Sequence, residues 1–323
     1  MDEDQSFTMC VVEVLTWRFV GVSDVKEQKV GMRGVLFTFE APFKTNVFLI
    51  AGDSHVFVCD TFLGSEPMKV VKRYLDENGL GSKPLAVFNS HADYDHYWGN
   101  GSFKSSIILG HELCRRRIEA EGKGLLTELQ SQKQGEVELI PPNLTFTDRV
   151  FFADEGLEFY YTPGHTADSA SCFDHVDNVL FVGDNVESPL PYVNEPDCTD
   201  YVATLEEYLK RGTRIFLSGH DEMMLDDTLI RRNLEYVKSF QMRAVDATAL
   251  DKRGKVIHFT NLTNIGGKLK DKGMLRETLN YYEEGKCVLD LLDNSTQGKQ
   301  EQMKNIQEAI ASLSSRSCKA NQP

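Results

Sequence analysis

Four residues within six positions, His91, Asp93, Asp95 and His96, carry imidazole and carboxylate side chains in the run Asn89-Ser90-His91-Ala92-Asp93-Tyr94-Asp95-His96-Tyr97-Trp98. These are the ligand types that hold zinc, iron or manganese. Three more side chains of the same kinds stand downstream: His165 in Thr162-Pro163-Gly164-His165, Asp184 in Phe181-Val182-Gly183-Asp184, and His220 in Phe216-Leu217-Ser218-Gly219-His220. A solvated polar loop accounts for any one of them alone. Seven in matching contexts point instead to a bound cation and to the hydrolytic or redox chemistry it supports.

The elements that must position them are legible too. Leu85-Ala86-Val87-Phe88 reads as a buried strand, so the first four ligands fall on the loop leaving a strand end. The other three each follow an apolar run and a Gly or Pro-Gly, the pattern of a strand that turns sharply to present a side chain. Pro67 to Glu77 has Met68, Val71 and Leu75 on one side and Gly79 beyond, an amphipathic helix. Strand–helix–strand order predicts a layered α/β fold. Asn46 to Ile50 and Val56 to Cys59 predict a hairpin around Gly52-Asp53-Ser54. Residues 150–161 and 171–183 predict two more. Helices are expected from near His111, over 200–211 and over 225–245, with 215–217 as the last core strand.

In this order the stations resemble the metallo-β-lactamase-fold superfamily. Its signature is His-x-His-x-Asp-His, then a lone His after Pro-Gly, an Asp after an apolar-Gly run, and a final His after a strand. Asn46 to Gly64 also looks like the family's opening hairpin. The resemblance spans roughly Val35 to Phe240 and implies a four-layer αββα sandwich with the metals at one edge between the sheets. It implies one metal on His91, Asp93 and His165, a second on Asp95, His96 and His220, and Asp184 bridging them, with Asp95 also catalytic. It further implies two zinc ions and a metal-bound hydroxide that cleaves an ester, thioester, lactone, amide or phosphoester bond of a small molecule. By the same resemblance Asp60 orients the site from behind; a turn cap is the other reading.

One station departs. Asp93 stands where the family has its second His. A carboxylate is harder and more anionic, which opens the site to iron or manganese. Asp93→His is accordingly expected to raise zinc affinity. A di-iron redox or oxygen-handling protein of the same fold is the alternative, and a non-catalytic binding member is a third reading.

Composition narrows the field. The 323 residues carry a net charge of −14, which argues against nucleic acid as a partner. Arg115-Arg116-Arg117 is too short to change this and reads as part of a solvated helix face. The acidic start, Met1-Asp2-Glu3-Asp4-Gln5, is unlike a signal peptide, and no stretch approaches the roughly 20 apolar residues of a membrane span. Seven scattered Cys without Cys-x-x-Cys suit free thiols in a reducing cytoplasm. The four other histidines read as non-ligands: His55 at a turn, His111 at a helix start, His175 at a hairpin tip, and His258 beyond the constellation.

The remainder is less specific. Residues 7–40 read as edge strands. Gly122 to Pro142 reads as a polar, helical excursion placed to cover a site mouth. The chain divides into a first domain, 1–245, and a mostly helical extension, 246–323. In the extension Val256-Ile257-His258-Phe259 suggests a short strand, and 275–284 and 300–313 suggest helices. Met303, Ile306, Ile310 and Leu313 form a stripe that packs on the body or makes a homo-oligomer.

Overall fold

Strands that are apolar at nearly every position need cover on both faces. Here two sheets cover each other on the inside and helices cover them on the outside. The computed structural model describes residues 25–320, so the edge-strand reading of 7–24 lies outside the described residues. The first sheet begins with β1 (Val25–Val30), β2 (Gly34–Phe39), β3 (Thr45–Ala51) and β4 (Val56–Cys59). After α1 (Ser65–Glu77) come β5 (Leu85–Asn89), the single turn α2 (Tyr94–Tyr97), β6 (Ile107–His111), α3 (Glu112–Glu128) and β7 (Leu144–Phe146). The strands lie side by side in chain order, antiparallel from β1 to β4 and parallel from β4 to β7.

The second sheet holds β8 (Arg149–Phe152), β9 (Leu157–Tyr161), β10 (Ala170–Asp174), β11 (Val179–Gly183) and, beyond α4 (Thr199–Lys210), β12 (Ile215–Ser218), in the order β12-β11-β10-β9-β8. Four helices complete the chain: α5 (Thr228–Gln241), α6 (Lys252–Asp271), α7 (Leu275–Asp290) and α8 (Lys299–Ala320).

The alternation of β4 shows how the layers form. Phe57 and Cys59 face the other sheet, among Phe48, Phe88, Phe159, Cys172 and Phe181. Val56 and Val58 face outward, against Met68, Val71 and Leu75 of α1 and Ile118 of α3. The second sheet's outer face, with Leu180, Val182 and Phe216, packs against α4, α5 and the C-terminal helices. This is the expected αββα sandwich. Ile306 and Leu313 of α8 are buried, and Ile306 joins this same cluster.

Two sequence expectations are overturned. Residues 256–259 are not a strand but the first half of α6. Asp251 caps that helix, its side chain accepting from the Gly254 amide at 2.6 Å. Ile257, Asn261, Leu262, Ile265 and Leu269 then bury one face at helical spacing. The Gly122–Pro142 excursion is helical only to Glu128, with a short 3-10 turn at Gln130–Gln132. Gly135 at φ 86° and the two prolines stop any continuation. The segment after the 3-10 turn runs extended, and its Glu136 and Gln134 carbonyls accept the Ser65 and Glu66 amides. It thus caps the free N-terminus of α1. Among the described residues, no helix is long and apolar enough to cross a membrane.

His258 is buried inside α6, with Nδ1 3.0 Å from the Tyr236 hydroxyl. Burial, helped by the charge of Arg243, lowers its pKa to about 4. Between that value and about 6.5 the unfolded chain takes up a proton that the native protein refuses, so stability falls as pH drops. The loss approaches about 3 kcal/mol at the bottom of that window. Urea unfolding at pH 7 and pH 4.5 is expected to show this acid loss in the parent and a smaller one in His258→Gln. Equal losses would remove His258 from the account.

Candidate metal centre

All seven singled-out residues meet at one edge of the sandwich, each just beyond a strand's C-terminal end. His91, Asp93, Asp95 and His96 follow β5, His165 follows β9, Asp184 follows β11 and His220 follows β12. Ligand atoms of His91, Asp93 and His165 lie within 4.8 Å of one another, as do those of Asp95, His96 and His220. Asp184 stands between the two groups. Its Oδ2 is 3.1 Å from His220 Nε2, 3.3 Å from His96 Nε2, 3.7 Å from His91 Nε2 and 4.0 Å from His165 Nε2.

The local backbone makes this convergence. Gly183 has φ 55°, a left-handed turn that ends β11 and swings Asp184 inward. A side chain at Gly219 would collide with the Asp184 carboxylate and with His96. Asp60, at φ 62° after β4, reaches across to the loop after β5.

Hydrogen bonds fix which ring nitrogen faces inward. Asp60 accepts from the Ser90 amide and hydroxyl at 2.8 and 2.7 Å and from His96 Nδ1 at 2.8 Å. Since the Ser90 hydroxyl donates to Asp60, it accepts from His91 Nδ1 at 3.0 Å. His220 Nδ1 donates to the Lys44 carbonyl at 2.6 Å. In all three rings Nδ1 therefore carries a proton, and Nε2 points into the cluster, where a cation or a second proton can take its lone pair. His91 Nε2, His96 Nε2 and Asp184 Oδ1 are buried without a hydrogen-bond partner. Buried acceptors left open and aimed at one another are what a cation site requires and what a packed core avoids. The residues fit a pair of divalent cations.

Electrostatics agree. Burial disfavours charge on His96, His165 and His220, yet the surrounding carboxylates outweigh it: His165 is raised to about 9, His220 to about 10, and His96 well above its usual value. Burial likewise opposes charge on Asp93 and Asp184, yet the imidazoles hold both well below the carboxylate range. Glu187 is the opposite case. Burial, with Asp184 adding, raises it to about 7, and its Oε2 lies 3.8 Å from His165 Nδ1.

The polar residues nearest the ligands in sequence serve elsewhere. Asn89 and Thr166 do not hold a histidine ring. Asn89 donates to the His96 carbonyl and to Asn100, and Thr166 pairs with Ser169. The oxygens behind the rings are those of Asp60, Ser90 and Lys44. Asn185, next to Asp184, accepts the His165 amide at 2.8 Å. Trp98 is fully buried core, with Tyr94 packed on it at 5.0 Å. Phe43, 6.1 Å from the His220 ring and 6.5 Å from Tyr94, forms a partly exposed wall. Of the remaining histidines, His111 is buried and caps α3, while His55 pairs with Glu155 and His175 with Glu158. Arg117 is not on a solvated face. It lies against Asp93. Nothing in the run Arg115-Arg116-Arg117 marks one arginine from the others, because only tertiary placement distinguishes them.

The model of the metallo-beta-lactamase superfamily matches residues 41–220, more than half of the chain. Among curated proteins, a hydroxyacylglutathione hydrolase of Acaryochloris marina is 27% identical over 128 residues, 38% of this chain and 41% of that protein. An N-acyl homoserine lactonase of Bacillus thuringiensis is 24% identical over 153 residues, 42% of this chain and 56% of that protein. The chain thus spans about half the length of the curated relatives it matches. Among solved structures, the metallo-beta-lactamase from Pontibacter korlensis aligns with a TM-score of 0.53 at 17% identity, covering 67% of this chain and 99% of that one. DIM-1 metallo-beta-lactamase aligns at 0.51 and 19%, covering 70% and 100%. These structural likenesses concern the fold alone.

Proposed function

Since the chain belongs to the metallo-beta-lactamase superfamily, we propose that it is a metal-dependent hydrolase of a small acyl compound, with two zinc ions as its cofactors. The observation that supports this most is the set of open Nε2 and carboxylate atoms around Asp184. In this reading His91, Asp93 and His165 hold one cation, Asp95, His96 and His220 hold the other, and Asp184 joins them. When bound, the two cations polarise the substrate oxygen and supply a water acidic enough to ionise near neutral pH.

The chain's own groups do the rest. Asp60, Ser90 and the Lys44 carbonyl keep three imidazoles in the tautomer that offers Nε2. Asp95 Oδ2 lies 3.5 Å from His220 Nε2. Its carboxylate would orient the attacking water and accept a proton from it. Phe43 and Tyr94 give an apolar flank against which an acyl chain excludes water.

Both curated relatives carry an acyl group in the name of what they act on. We therefore place esters, thioesters and lactones ahead of phosphoesters and amides. A panel of these substrates, assayed before and after chelation and again with zinc restored, tests the reading. Expected is acyl cleavage that chelation removes and zinc returns. Cleavage indifferent to chelation, or none in any class with zinc bound, would sink it.

A further inference from the structure

The ligand run departs from the family signature at Asp93, and a cation stands directly behind that departure. Arg117 of α3 donates from Nη2 to Asp93 Oδ1 at 2.5 Å, from Nη1 to Asp168 Oδ1 at 3.1 Å, and from Nε to Glu121 Oε2 at 3.1 Å. Asp168 accepts the Ala92 amide through its other oxygen at 2.7 Å. The guanidinium is therefore clamped between the loop that carries Asp93 and the loop that carries His165. The other oxygen of Asp93, Oδ2, faces inward, 3.2 Å from His165 Nε2 and 3.5 Å from His91 Nε2. We propose that Arg117 is a positioning residue that fixes Asp93 as a one-oxygen ligand and offsets its charge, so that this metal group keeps zinc ahead of harder cations. The inference rests on the proposed metal centre.

A free carboxylate can turn both oxygens to a hard cation and brings a full negative charge. Here one oxygen is occupied by a planar guanidinium that stays charged at any working pH. Taken as a pair, the carboxylate and its cation present nearly the charge of the neutral imidazole that the family has at this station, although Asp168 and Glu121 share the same guanidinium. Aspartate with arginine thus substitutes electrostatically for histidine. This removes the ground for expecting iron or manganese from Asp93 alone. It also reverses the expectation for Asp93→His. In that variant Arg117 loses its nearest carboxylate and stands close to a metal with nothing between them but an imidazole.

The test uses the full chain, stripped of metal and titrated with Zn²⁺ and Mn²⁺ in competition with a chromophoric chelator. Arg117→Gln is expected to raise the Mn²⁺-to-Zn²⁺ affinity ratio of one site about tenfold or more, while Arg117→Lys, which keeps the charge but loses the planar fork, falls between it and the parent. Asp93→His is expected to weaken zinc about tenfold at that site, and Asp93→His with Arg117→Gln to restore it. An unchanged ratio in Arg117→Gln, even with a lowered melting temperature, would reduce Arg117 to a structural ion pair and overturn the proposal. If Arg117→Gln fails to fold, the double variant decides: no recovery over Asp93→His overturns it equally. A parent that takes up neither metal fails at the metal centre itself, a result distinct from an unchanged ratio.

Discussion

Asp184→Ala is expected to remove at least one of the two proposed cations and to lower hydrolysis by well over ~100-fold, the upper range for losing a mere supporting contact of a metal ligand. Asp184 Oδ2 lies within 3.1–4.0 Å of four imidazole nitrogens. No other side chain of the centre touches both ligand groups so evenly. Without it, Asp93 and Asp95 still serve one pair of rings each, but no anion joins the two pairs. Elemental analysis beside the rate measurement checks this. Full metal content with an unchanged rate would take Asp184 out of the centre.

The second large effect lies at the opposite end of the strands and concerns stability. Glu155, buried in the turn between β8 and β9, accepts the amides of Asp53, Ser54 and His55 at 2.7, 3.0 and 2.8 Å and meets His55 Nδ1 at 3.0 Å. One carboxylate thus fastens the β3–β4 turn of the first sheet to the second sheet. Glu155→Ala leaves three amides without their acceptor. Asp53 and Ser54 are exposed, so water takes over part of this role, and the loss is about 1–3 kcal/mol, the range for one buried group left unpaired. Activity per folded molecule is expected to hold, since the metal centre is at the other edge. The effect also depends on pH. Burial opposes the charge of Glu155, but the His55 ring and the three amides outweigh it and hold its pKa below the usual value. The stabilisation is therefore complete above the ordinary carboxyl range and is lost as pH falls below it. Urea unfolding at pH 7 should show the full gap between parent and variant, and at low pH a narrower one. No gap at pH 7 would contradict the role given to Glu155.

The ligand stations were legible because strand ends announce themselves. An apolar run closed by Gly183 or by Pro163-Gly164 leaves little choice about where the next side chain points. The layered fold emerged from the same runs. The contacts that tune the centre were not legible, since they cross between elements far apart in the chain. Arg117 reaches Asp93 over 24 positions and Asp168 over 51. Lys44 serves His220 through a backbone carbonyl, over 176 positions, and no residue type marks that role. The β-branched and aromatic character of Val256 to Phe259 suggested a strand. The cap at Asp251 and the longer helical period through Leu269 decided otherwise. Asp93 shows the same limit in chemical form. Read alone it argued for a harder metal, and its meaning changes once the guanidinium behind it is seen.

The central claim is that Asp184 and the rings around it exist to hold two cations. Metal-free protein titrated with Zn²⁺, with bound metal counted by elemental analysis and the melting temperature followed in parallel, tests it most directly. The account predicts two zinc ions per chain and a melting temperature that rises with each, as ligand binding to the native state demands. Protein that retains no zinc after gel filtration and melts at the same temperature throughout the titration would contradict it.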